Sequence, residues 1–183
     1  TNTTVTVSAL PTAIITAGGP TTFCQGGSVV LSANIGTGLT YQWRNGTTNI
    51  ASATNATYTA TTAGSYNVIV TSGTCSATST STTVTVNALP TATITTTTPT
   101  TFCQGGSVVL SANTGTELTY QWRNGTTNIA SATNATYTAN SSGSYNVVVT
   151  SGNCSETSTS TTVTVNAPIS VNITPSGIQT LLP

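Results

Sequence analysis

Lysine, aspartate and histidine are absent from the 183 residues, and Arg44, Arg123, Glu117 and Glu156 are the only charged side chains. Each absence removes a class of chemistry. Without histidine and aspartate there is no Ser-His-Asp triad, no His-based zinc site and no Asp-rich calcium loop. The two glutamates do not form an evident acid–base pair. No catalytic, metal or cofactor site is therefore expected, and the chain reads as a non-enzyme. A net charge of +0 gives no electrostatic hold on nucleic acid or on an anionic membrane. No apolar run approaches the ~20 residues of a membrane span, and no signal peptide is evident. The chain reads as a mature fragment.

With so few charges, solubility falls to threonine, serine and asparagine. Such a composition also suits a disordered, mucin-like stalk. Against that reading, apolar residues alternate regularly here, with tryptophan and tyrosine at fixed places, which disordered segments lack.

The fixed places are a repeat. Cys24 and Cys103, Trp43 and Trp122, Tyr66 and Tyr145, and Cys75 and Cys154 each differ by 79 residues. Residues 11–88 and 89–167 are nearly identical copies, each the length of a small all-β domain and too long for a solenoid turn. Glu117 and Glu156 fall at non-equivalent points of the second copy. The opening "TNTTVTVSALP" matches "TSTTVTVNALP" at Thr80–Pro90, so residues 1–10 read as the last strand of a preceding repeat. Residues 168–183 read as the start of a following domain. The expectation is a segment of a longer array; a two-domain protein with short tails is the plainer alternative.

Within each copy the apolar residues recur with period two. Val29, Leu31 and Ala33 share a face, as do Leu39, Tyr41 and Trp43, then Tyr66, Val68 and Val70, then Val84 and Val86. The runs are rich in valine, threonine and tyrosine, and Asn45-Gly46 and Ser72-Gly73 suit tight turns between them. No segment has helical period. Several short strands with close turn signals predict an all-β chain of tandem β-sandwich domains.

The run "GGSVVLSAN…YQWRNG…ATYTATTAGSYNVIV" resembles an immunoglobulin-like domain. The resemblance implies strand B, a core tryptophan on strand C (Trp43, Trp122), strand E around Tyr58, and a tyrosine corner opening strand F (Tyr66, Tyr145). The two core cysteine positions of that pattern hold Ala33 and Val68 in the first copy and Ala112 and Val147 in the second, so apolar packing replaces the usual pin. More narrowly, "TFCQGGSVVLSAN…YQWRNG" with "GSYNVIVTSGTCSATSTSTTVTVN" is similar to Ig-like and PKD-like repeats of very large Bacteroidota surface proteins. These include the SprB-type gliding-motility adhesins exported by the type 9 secretion system. The resemblance implies an extracellular place on a bacterial cell surface and an adhesive or filament-forming role. Its implied partners are adjacent repeats of the same chain, with surface glycans or other adhesin copies as further candidates.

Four cysteines in such a chain point to disulfides rather than metal ligands. Pairing within each repeat, Cys24 with Cys75 and Cys103 with Cys154, is the obvious arrangement. In an immunoglobulin-like sandwich, however, strands B and F run the same way. Cys24 precedes the core position of B and Cys75 follows that of F, which separates them by tens of ångströms at ~3.3 Å per residue. A disulfide needs Cα atoms within about 7 Å. Stacking two domains end to end brings the A–B turn of the first to the F–G turn of the second. The expected bond is then Cys24–Cys154 between domains, with Cys75 and Cys103 reaching to neighbouring repeats. Within-repeat pairing stays open if Gly26-Gly27 folds the A–B segment back, and so do free thiols. A covalent tie beside the short "NALP" linker would stiffen the junction, and the closed loop would add about 4–5 kcal/mol in the chain-entropy model.

Smaller signals carry less. Arg44 and Arg123, before the Asn-Gly turn, suit either a ligand carboxylate or glycan or, more plainly, nearby carbonyls. Asn45, Asn55, Asn124 and Asn134 begin N-glycosylation triplets, though turn geometry already accounts for Asn-Gly. The threonine runs would serve ice binding only on an untwisted sheet, and sandwich strands twist. The leading expectation is a structural stalk of a long repetitive adhesin or filament; the alternative is a glycan- or protein-binding module.

Overall fold

The computed structural model describes residues 7–172, and the chain divides into two compact units, Thr1–Leu89 and Pro90–Pro183. Each is taken by itself.

In the first unit the strands are β1 (Ile15–Ala17), β2 (Thr22–Cys24), β3 (Val29–Ala33), β4 (Leu39–Asn45), β5 (Thr48–Asn49), β6 (Thr57–Ala60), β7 (Gly64–Ser72), β8 (Cys75–Thr78) and β9 (Thr82–Asn87). One sheet has the order β1-β3-β6; the other has β2-β9-β7-β4-β5, with β8 also on β7. All pairs are antiparallel except β2 with β9, which run parallel with Cys24 opposite Asn87. In immunoglobulin terms these sheets are A–B–E and A′–G–F–C–C′. The second unit repeats the scheme with β10 (Ile94–Thr96), β11 (Thr101–Cys103), β12 (Val108–Ala112), β13 (Leu118–Asn124), β14 (Thr127–Asn128), β15 (Thr136–Ala139), β16 (Gly143–Ser151), β17 (Cys154–Thr157) and β18 (Thr161–Asn166). Its sheets are β10-β12-β15 and β11-β18-β16-β13-β14. The fold is an immunoglobulin-like sandwich, made twice.

The alternating faces explain the sandwich. Val29, Leu31 and Ala33 of β3 meet Trp43 of β4, Tyr66, Val68 and Val70 of β7, and Val84 of β9 in one buried cluster. Val108, Leu110, Ala112, Trp122, Tyr145, Val147, Val149 and Val163 repeat it. Ala33 and Val68, at the absent core cysteines, are buried there with Trp43. Rings run on from the tryptophan: Trp43 to Tyr58 at 5.9 Å between centroids and Tyr58 to Tyr66 at 5.5 Å, separations typical of favourable aromatic pairs.

Turns follow the glycines. Gly46 and Gly73 take φ of 60° and 57° at the first central position of two-residue hairpins closed by Asn45–Thr48 and Ser72–Cys75. That is the type II′ pattern, which glycine adopts at no steric cost. The last edge of the sheet is made by two separate strands, β8 and β9. Ser79 lies between them, its backbone N donating to Val68 O at 2.9 Å while its Oγ accepts from Val68 N at 3.0 Å. Val7–Leu10 and Pro168–Asn172 carry no strand. The remaining residues read as a preceding strand and a following domain, 1–6 and 173–183, lie outside the described residues.

Candidate functional site

The chemistry-bearing side chains of this chain are its cysteines, and the fold sets them at opposite ends of each unit. In the first unit β2 ends at Cys24 beside Asn87, the last residue of β9. Gln25 N donates to Asn87 O at 2.8 Å and Gly27 N to Cys24 O at 2.9 Å, closing a tight turn into β3. Gly26, with φ of 90°, makes that turn. A Cβ on Gly27 would stand 3.0 Å from the Phe23 ring and 3.1 Å from the Cys24 carbonyl oxygen, so a side chain there crowds the turn. The Gly26-Gly27 pair thus turns the chain directly into β3 and does not fold the A–B segment back along the domain.

Cys75 opens β8 opposite Ser72, the last residue of β7. Because β7 runs from Gly64 to Ser72 and pairs Gly64 with Val84 of β9, Asn87 and Cys24 lie beyond its start and Cys75 at its finish. The nine residues of β7 span about 26–30 Å at ~3.3 Å each. The second unit repeats these positions with Cys103 opposite Asn166 and Cys154 opposite Ser151.

Equivalent cysteines are in different states. Cys24 and Cys154 are disulfide-bonded, whereas Cys75 and Cys103 are free. Cys154 is fully buried, while Cys75 is half-buried and Cys103 exposed. The Cys75 thiol lies 3.8 Å from the Ser8 carbonyl oxygen.

The four aromatic residues singled out in the sequence are all buried: Trp43, Trp122, Tyr66 and Tyr145. Trp43 Nε1 donates to Asn55 O at 2.9 Å, and Trp122 Nε1 to Asn134 O at the same distance. The tyrosine corner is present in both units. Tyr66 OH donates to Thr62 O at 2.9 Å, and Tyr145 OH to Ser141 O at 3.0 Å. Burial raises the Tyr58 and Tyr137 phenols above their usual 10.0, with the Tyr66 and Tyr145 hydroxyls adding to the effect.

The arginines engage local groups: Arg44 Nη2 donates to Thr47 O, and Arg123 Nε to Asn128 Oδ1 at 2.7 Å. Asn45 Oδ1 accepts from Ser65 N at 3.0 Å, which ties strand C to strand F at that turn. Sequence reasoning missed three polar anchors. Asn67 is buried and donates its amide to Gly46 O at 2.7 Å. Gln42 Nε2 donates to Trp43 O and Ile50 O, both at 2.9 Å. Ser79 is the third. Their only signal was exact recurrence in the second copy, as Asn146, Gln121 and Ser158.

Besides the cysteines, the second unit holds a shallow cavity of about 370 Å³ lined by Gln104, Asn140, Ser141, Ser142, Val165 and Asn166. It lies next to Cys103. Among the described residues no three His, Cys, Asp or Glu side chains gather as a metal site, and no helix is long and apolar enough to cross a membrane.

A family model described as a domain of unknown function, DUF8696, matches residues 13–88, the first unit. No curated protein matches the chain. Among solved structures the chain is similar to murine CEACAM1b, at 15% identity and a TM-score of 0.40, over 85% of this chain and 100% of that one. It is similar to the I67–I69 fragment of the titin I-band, at 15% and 0.42, over 85% and 64%. Domains 3–5 of Drosophila OTK are similar at 16% and 0.45, over 86% and 61%. The immunoglobulin-like assignment stands on the strand order and core described above, not on these likenesses.

Proposed function

We propose that this chain is a spacer segment of a long, repetitive extracellular adhesin or filament, in which a disulfide between neighbouring domains stiffens the stalk. The cysteine states carry the reading. The chain has four cysteines; Cys75 and Cys103 are free, and Cys24 and Cys154 are oxidised. On this reading Cys24 pairs with Cys154, the A–B turn of one domain with the F–G turn of the next. A bond within a repeat would instead leave both cysteines of that repeat in the same state. Persistent disulfides belong to oxidising compartments, which supports an extracellular place. Two nearly identical copies also suit a spacer, which gains length by copying, more than a recognition surface.

The narrower placement, among SprB-type gliding-motility adhesins of Bacteroidota exported by type 9 secretion to the cell surface, is supported by the resemblance of the repeats alone. Its partners would be adjacent repeats of the same chain. Small-angle X-ray scattering of the chain, with and without reductant, tests the stiffening. The expected result is a broader distribution of particle dimensions after reduction, and identical profiles in the two states would refute it.

One observation favours a second reading, a glycan- or protein-binding module. The cavity beside Cys103 offers amide and hydroxyl groups from Gln104, Asn140, Ser141, Ser142 and Asn166, the donors and acceptors that sugars use. A glycan array with the two-domain chain separates the readings: specific retention of one sugar class favours the module, and an empty array leaves the spacer.

A further inference from the structure

The hairpin joining β4 to β5 carries the dipeptide most prone to deamidation in each repeat. Asn45-Gly46 and Asn124-Gly125 set an amide side chain before a glycine, whose nitrogen has no adjacent Cβ to shield it. In a mobile chain that nitrogen attacks the asparagine amide carbon. The turn needs both residues: Gly46 and Gly125 hold φ of 60° and 59°, and the two asparagines tie it to strand F. We propose that Asn45 and Asn124 are latent deamidation sites. A backbone clamp keeps them as amides in the folded chain, and opening of the hairpin converts them to aspartate or isoaspartate.

One residue of β7 engages both reacting groups. Gly46 N, the nucleophile, donates to Ser65 O at 2.7 Å, and Asn45 Oδ1 accepts from Ser65 N at 3.0 Å. The second bond polarises the amide, but ring closure requires the glycine nitrogen to leave Ser65 O first. From a buried position Asn67 Nδ2 donates to Gly46 O at 2.7 Å, which fixes the far side of the glycine. A Cβ on Gly64 would overlap the Asn45 amide, so that amide packs against a bare Cα. The second unit repeats the clamp. Gly125 N donates to Ser144 O at 2.7 Å, Asn124 Oδ1 accepts from Ser144 N at 3.0 Å, and Asn146 Nδ2 donates to Gly125 O at 2.8 Å. Both dipeptides are exposed, so geometry protects them rather than exclusion of water.

Once the hairpin opens, Gly46 N loses its proton to hydroxide and bonds to Asn45 Cγ. The Cγ–Nδ2 bond breaks, and the nitrogen takes up a proton and leaves as ammonia. Water then opens the five-membered imide at one of its two carbonyls. Each site consumes one water and releases one ammonia, and no oxidant or cofactor takes part. Opening at the side-chain carbonyl gives aspartate. Opening at the main-chain carbonyl gives isoaspartate, with an extra methylene in the backbone opposite Tyr66. Either product adds a carboxylate to a chain that has no aspartate and a net charge of +0. The change is irreversible, so it records that a hairpin has opened, in a spacer and in a binding module alike.

Incubating the 183-residue chain in mildly alkaline buffer, folded and in urea, with peptide mapping by mass spectrometry over time, tests this. Both Asn-Gly sites should deamidate at least about tenfold more slowly in the folded chain, which corresponds to an opening cost of about 1.4 kcal/mol. Gly64→Ala displaces the Asn45 amide from its clamp. In that variant Asn45 should deamidate several-fold faster than Asn124 of the same molecules, which serves as the internal control. A smaller slowing than about tenfold at either site of the folded parent overturns the proposal. So does a folded Gly64→Ala chain in which Asn45 stays as slow as Asn124. Where tryptophan fluorescence shows the variant's first unit unfolded, the comparison of folded and urea-treated parent decides alone.

Discussion

At the scale of single residues, the core of each unit is organised by a tryptophan and a tyrosine whose polar atoms both find backbone carbonyls. Trp43 is fully buried with its Nε1 paired, so Trp43→Ala loses packing and leaves a cavity, at a cost of about 3–5 kcal/mol. That is a large share of the ~5–15 kcal/mol typical of a domain. The expected outcome is two separated transitions in urea, with the early one assigned to the first unit and the late one reported by Trp122 fluorescence. A single unshifted transition would contradict the central place given to Trp43. These residues were legible because tryptophan and the Gly-x-Tyr run are rare in a threonine-rich chain. Asn67 was not: a buried asparagine on the outward side of its strand reads like any polar residue until its partner, the Gly46 carbonyl, is located.

Tyr58 and Tyr137 bring a pH dependence. Their folded-state phenols are raised above 10.0 by burial and by the neighbouring tyrosines. Above pH ~10 the unfolded chain loses these protons first, so the folded state binds more protons there and stability falls as pH rises. The contribution is complete below the unfolded value and lost through the raised folded value. Alkaline denaturation followed by phenolate absorbance should show the two tyrosines ionising late and together with unfolding; ionisation well before loss of structure would contradict the assignment.

At the scale of elements, strands B, C and F were readable from their period-two apolar faces, and the hairpin glycines from their flanking sequence. The division of the last strand was not. Threonine and serine fill both halves, and no apolar break marks the place where Ser79 leaves the ladder. What holds that break is a side-chain bond, Ser79 Oγ accepting from Val68 N at 3.0 Å, at a buried position. Ser79→Ala leaves that buried donor without its acceptor, which costs about 1–3 kcal/mol. Chemical denaturation should show this for Ser79→Ala, and Ser158→Ala should weaken the second unit alike. Ser81→Ala, at an exposed neighbour, should fall within about 0.5 kcal/mol of the parent.

Gly64 belongs at this scale too. A Cβ there would stand 2.4 Å from the Asn45 amide, whose Oδ1 accepts from Ser65 N. Gly64→Ala must push Asn45 aside and lose that bond. The expected result is a lower melting temperature, accompanied by faster hydrogen exchange at the Ser65 amide. Unchanged exchange would show that the asparagine does not hold the turn.

At the scale of the whole molecule, the sequence led to two sandwich units and to cysteines at opposite ends of each. Those ends followed from strand direction, which the immunoglobulin-like order dictates. Strand direction also led to an expected Cys24–Cys154 bond with Cys75 and Cys103 left over, and Cys24 and Cys154 are disulfide-bonded while Cys75 and Cys103 are free. The most direct test is proteolysis of the oxidised chain under non-reducing conditions, after alkylation of free thiols, with mass spectrometry of the fragments. A single cross-linked pair containing Cys24 and Cys154, with Cys75 and Cys103 alkylated, is the predicted result; a fragment joining Cys24 to Cys75, or Cys103 to Cys154, would contradict it.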